Sequence, residues 1–159
     1  MGELGLIQTK LQPPPTQGDS VLRPNLIQKL NLGMHRKVAL ISAPAGYGKT
    51  TLAATWCSNC SRPVAWLSLD SADNDFRQFL TYFIRAVQTV VPGACNETMA
   101  LVEGLHLPPL NYLVTSLVNE ISALPEPIIL VLDDYQLVPD KAIQELVATF
   151  IKYQPGQIH

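Results

Sequence analysis

Two spacings of apolar residues alternate along this chain. Residues 37–42, "KVALIS", are a short β-rich run that suits a strand buried on both faces. A glycine-containing loop follows, and then a helix is predicted over 49–58. "VAWLSLD", residues 64–70, reads as a second strand, and "DSADND" after it supplies turn and cap residues. Phe76, Phe79, Leu80, Phe83, Ile84, Val87, Val90 and Val91 then recur at helical spacing, a stripe that belongs in a core. The connector "VPGACNETMALVEGLHLPP" has room for one short helix. Leu110, Leu113, Val114, Leu117, Val118 and Ile121 mark the next long one, stopped by "LPEP". "IILVLDD", residues 128–134, is the most apolar strand. A last helix starts after Asp140, a good N-cap, with Ile143, Leu146, Val147, Phe150 and Ile151 inward. "QPGQIH" ends it and looks like the entry to a further strand. Before all this, residues 1–20 read as a polar, extended arm with "TKLQPPP" in polyproline conformation. "RPNLIQKLNLG" reads as a short helix with Pro24 in its first turn and Gly33 at its end.

Strands alternating with helices predict an α/β fold on a mostly parallel sheet flanked by helices. Ligands bind such sheets at the carboxyl ends of the strands. "APAGYGKT" and "DDYQ" both directly follow strands, so that edge can bring them together. Composition agrees with a globular chain, at 47% apolar and 15% charged residues. The longest apolar run, "IILVL", falls far short of the roughly 20 residues of a membrane helix. A net charge of −2 without a basic cluster offers nothing to nucleic acid, so no DNA binding is expected of this segment. Cys57, Cys60 and Cys95 are too few for a disulfide framework, and with no secretory signal in view they suggest a cytoplasmic, reducing setting. The Cys57–Cys60 pair lacks two further zinc ligands and falls late in a helix, so it reads as packing. His35, His106 and His159 read as surface groups.

The loop carries the chemistry. It runs Ala43-Pro44-Ala45-Gly46-Tyr47-Gly48-Lys49-Thr50-Thr51, a GxxxxGK[ST] phosphate-loop pattern with Ala43 in place of the first glycine. Gly46 and Gly48 allow dihedrals that turn successive N–H groups inward, and the next helix adds its positive end. Lys49 can reach β- and γ-phosphates, and the Thr50 hydroxyl is placed to ligate Mg²⁺. Asp133, at the end of the "IILVL" strand, has the position of a magnesium-linked aspartate; Asp134 is the candidate general base. Asp70, Asp73, Asp75 and Arg77 follow the second strand, where caps compete with a nucleotide role. Arg23, ahead of the first helix, has no place fixed by the sequence.

"TKLQPPP…VLRPNLIQKL", "ISAPAGYGKTTLAATW", "VAWLSLDSADNDFRQFLTYFIRAVQ" and "IILVLDDYQLV" resemble the MalT-type ATP-dependent transcriptional activators. These are LuxR-type regulators of the STAND class of signal-transduction NTPases. The resemblance implies a P-loop NTPase fold that binds ATP with Mg²⁺, self-associates when an inducer is also bound, and resets by slow hydrolysis. Lys49, Thr50 and Asp133 match the nucleotide and magnesium residues, Asp134 the second acid of "DD", and Arg23 an arm arginine lying against the nucleotide. It implies an arm and short helix over 1–36 and a core over 37–159. That core stops before the strand that would lie between the phosphate-loop strand and "IILVL". Two other classes compete: a small P-loop kinase or transferase, and a non-catalytic interaction fragment. The first would show an arginine-rich lid, yet no arginine follows Asp133.

Overall fold

The computed structural model describes residues 5–16, 18 and 23–159. Residues 1–4, 17, 19 and 20 of the expected arm, and residues 21 and 22 after it, lie outside the described residues. Helices α1 (Pro24–Gly33) and α2 (Lys49–Ser58) precede strand β1 (Val64–Ser68). After β1 come α3 (Phe76–Val90), α4 (Asn96–Glu103) and α5 (Leu110–Ser122). Strand β2 (Ile129–Asp133) and helix α6 (Lys141–Tyr153) complete the order. β1 and β2 pair in parallel, with Val64 opposite Ile129 and Ser68 opposite Asp133. The chain is thus α/β, with a two-stranded parallel sheet between layers of helix.

Alternation along the strands sends side chains to two cores. Ala65 and Leu67 of β1, with Leu69 just after it and Ile128 just before β2, join a large cluster with α3, α5 and α6. Trp66 and Ile129 face the opposite way, onto α1 and α2 through Leu30, Ala53 and Trp56. Two-sided burial explains the near-continuous apolar strands, and the α3 stripe is buried as its spacing predicts, with Phe79, Leu80 and Ile84 at 0% exposure. Asp140 caps α6 by accepting from the N–H groups of Ala142 and Ile143.

Residues 37–42 do not form the expected strand: Val38 is exposed and Leu40 is 86% exposed. Strand geometry needs a hydrogen-bonded neighbour, and β2 has β1 on one side and the chain's last residues on the other. Those last residues do enter the sheet, as "QPGQIH" suggests. Ile158 bridges Ile128 in parallel, with Ile128 N–H donating to Gln157 and Leu130 N–H to His159. Lys37 instead donates to the carbonyls of Ile151 and Lys152, the C-terminal end of α6. His159 is more than a surface group: its Nδ1 lies 2.7 Å from the Arg36 carbonyl and its ring meets Trp56 edge-on.

The arm also differs. Gln8–Leu11 form a 3₁₀ turn rather than polyproline, because Leu11 is buried in the large core and Lys10 is drawn in between Asp70 and Asp73. Cys57 and Cys95 are buried and free, and burial pushes each thiol up to about 12, which suits packing rather than redox work.

Ile84→Ala should lower unfolding free energy by about 2–5 kcal/mol, whereas Tyr112→Ala at an exposed α5 position should change it by under about 0.5 kcal/mol, both by urea titration. Asp140→Ala should cost about 1 kcal/mol in the same assay.

Candidate functional site

Helix α2 begins at Lys49, so the first turn presents N–H groups with no intrahelical acceptor at the end of the glycine loop. Gly46 (φ 84°) and Gly48 (φ 74°) both hold the left-handed conformation that lets the loop turn back there. An added Cβ at Gly48 would lie 3.8 Å from Arg23 Nη2. Arg23 Nη1 donates to the Tyr47 carbonyl at 3.2 Å, so the residue that sequence could not place stands at the loop. Within the loop, Lys49 Nζ donates to the carbonyls of Ala43 at 2.6 Å and Pro44 at 3.4 Å. A groove of about 660 Å³ runs beside it, lined among others by Arg23, Leu26, Leu40, Tyr47 and Lys49. Thr51 lines a smaller one of about 190 Å³ on the α1 side.

The two motifs meet although 83 residues separate them: Thr50 Oγ1 donates to Asp133, 2.9 Å from each carboxylate oxygen. Parallel pairing places Asp133 at the end of β2, and the Leu69 N–H donates to its carbonyl at 3.0 Å. Burial raises the Asp133 pKa above its ordinary value, against the Thr50 hydrogen bond that lowers it. Asp134 takes a left-handed conformation (φ 57°) and accepts from Gln136 Nε2 at 3.0 Å. A hydroxyl and a carboxylate are hard oxygen donors of the kind Mg²⁺ accepts. Among the described residues no group of three or more His, Cys, Asp or Glu could hold a metal ion. Thr50 and Asp133 bring two such donors together at the mouth of the loop.

The second acidic string is engaged elsewhere. Asp70 and Asp73 bind Lys10, Asp75 caps α3 through the Gln78 N–H, and Arg77 donates to the carbonyls of Val102 and Gly104. Lys10 is the residue that sequence reasoning missed. A single lysine before a proline run carries no spacing signal toward acids 60 positions away.

The raised pKa of Asp133 has a sign. Its charged form is disfavoured by folding, so stability falls as pH rises from 3.8 through the folded value, and the penalty persists above it. Without nucleotide or metal, Asp133→Asn should therefore melt higher than the parent at pH 7, and the gap should close on acidification toward 3.8. An equal or lower melting point at pH 7 would show that the carboxylate carries no such penalty.

No family model matches the chain. It is 39% identical over 153 residues to the HTH-type transcriptional regulator MalT of Yersinia pestis (strain Pestoides F), and equally to that of Yersinia pseudotuberculosis serotype O:3 (strain YPIII). Identity to the MalT of Cronobacter sakazakii (strain ATCC BAA-894) is 35% over 153 residues. Each match takes in 96% of this chain, and the chain spans 17% of the length of these relatives. Over nearly all its length this chain is thus similar to one segment of those HTH-type transcriptional regulators.

Proposed function

We propose that this chain is the Mg-ATP-binding module of a transcriptional regulator, in which bound nucleotide acts as a conformational switch and slow hydrolysis resets it. The observation that carries the reading is the Thr50–Asp133 pair, set beside Lys49 at the mouth of a glycine loop that opens a helix. Kinship with regulators called MalT supports the regulatory half. DNA contact and self-association belong to the longer regulator rather than to this segment, and a cytoplasmic setting follows from the same reading. Among the described residues no helix is long and apolar enough to cross a membrane, which is compatible with that setting.

The loop's N–H groups and the positive end of α2 bind the phosphates, with Gly46 and Gly48 permitting the close approach and Ala43, Tyr47 and Thr51 framing it. Lys49 exchanges its carbonyl partners for phosphate oxygens, a charge-assisted contact. Thr50 and Asp133 would hold Mg²⁺, which neutralises phosphate charge when bound. Arg23 closes the outer side of the loop. Asp134, on a turn just beyond the metal-side acid, orients a water and takes its proton.

Calorimetric titration with Mg-ATP tests this. Saturable binding is expected, weakened at least tenfold in Lys49→Ala, about 1.4 kcal/mol. Asp133→Asn should lose most of the magnesium dependence of that affinity. A folded Lys49→Ala variant that binds as tightly as the parent would refute the site.

A further inference from the structure

The turn after β1 holds charge that this nucleotide chemistry does not use. Asp73 is fully buried. Its Oδ2 accepts from the Asp70 N–H at 2.9 Å, and its Oδ1 from Gln78 Nε2 at 3.1 Å. Lys10 Nζ bonds to Asp73 and, at 2.9 Å, to Asp70, while the Tyr82 ring lies 4.8 Å from the ammonium. The lysine side chain is only 10% exposed. Its surroundings are held in turn: Ile7 N–H donates to the Tyr82 hydroxyl, and Asn74 accepts from the Asp140 N–H at the head of α6. Among the described residues Lys10 is the cation paired with Asp73. Burial works against the ammonium, but its hydrogen bonds to both aspartates and their charge overcome it and raise its pKa.

This cluster lies one residue from the candidate site. Asp70 directly follows Leu69, whose N–H holds the Asp133 carbonyl at 3.0 Å. Leu69 lies past the last residue of β1, so that hydrogen bond is the final rung between the two strand ends. Two carboxylates in one tight turn repel, and a fully buried one needs a counter-charge. Without the ammonium, Asp73 must take a proton or the turn must open, and opening pulls on Leu69.

We propose that Lys10 is a positioning residue: by neutralising Asp70 and Asp73 it fixes the carboxyl end of β1, and through the Leu69–Asp133 rung it sets the acid that faces Thr50. The arm is then part of the site's scaffold, acting on the metal-side acid as outer-shell partners act on metal ligands. The functional consequence rests on the Mg-nucleotide reading; the structural one does not.

Residue-resolved amide hydrogen exchange and nucleotide titration, on the same samples, separate the two. Lys10→Met keeps the stem over Tyr82 and removes the charge; Lys10→Met/Asp73→Asn also removes the acid left uncompensated. In Lys10→Met the Leu69 amide should exchange at least tenfold faster, while that of Leu117 in α5 stays unchanged. Affinity for Mg-ATP should fall about tenfold, and affinity for ATP in EDTA by less than twofold. The double variant should recover much of the Leu69 protection. Faster exchange confined to residues 5–12 would overturn the proposal and leave Lys10 as a tether for the arm alone. Global loss of protection in both variants, or equal loss of affinity with and without magnesium, would overturn it as well. A parent that shows no Mg-ATP binding refutes the nucleotide reading instead, and exchange at Leu69 still decides whether Lys10 sets the rung.

Discussion

Everything at the candidate site depends on the parallel pairing of β1 with β2. A parallel pair cannot be closed by a tight turn, so the chain between the strands must cross over, and here it builds α3, α4 and α5 on the way. Both strand ends then point the same way. One carries Asp133, and the other runs directly into the Asp70–Asp73 turn. A register shift by one residue would exchange the two faces, sending Trp66 toward α3 and Leu67 toward α2. Such an exchange would take Trp66 out of its contacts with Trp56 and Leu30 and Leu67 out of the large cluster, at the cost of repacking both cores. Core packing therefore fixes the height of Asp133 relative to Thr50.

The elements with strong periodicity were legible in the sequence. The α3 stripe, the α5 stripe and the capped start of α6 each signal one helix because burial demands a face and a chain end demands a cap. The sharp turn ahead of α2 was legible for another reason. A loop that reverses this sharply needs glycine at fixed places, and Gly46 and Gly48 do adopt left-handed dihedrals. That Asp133 meets Thr50 followed from the rule that motifs at strand ends share an edge.

Pairing partners and long-range charge were not legible. "KVALIS" has the composition of a strand, but composition says nothing about whether a neighbour stands beside it, and Leu40 is left facing outward. Propensity supplies only a preference for extended backbone; the ladder supplies the strand. The acids of "SLDSADND" were equally ambiguous, since the same residues cap helices and bind cations. What decides among these roles is Lys10, brought near by the burial of Leu11 beside it. Pairwise contacts of that range leave no period in the sequence.

Asp134 shows how one position can answer to two demands. Its φ of 57° is a conformation that asparagine, aspartate and glycine enter readily and that other L-residues enter at a cost of about 1–2 kcal/mol. The sharp reversal after β2 thus selects a short polar side chain on grounds of backbone shape alone, before any reaction is considered. An alanine there would alter the course of the chain along with its chemistry. An asparagine preserves the bend and removes only the charge, which makes it the cleaner way to ask what that carboxylate does. The bend by itself therefore accounts for a short polar side chain at this corner, whatever the carboxylate does there.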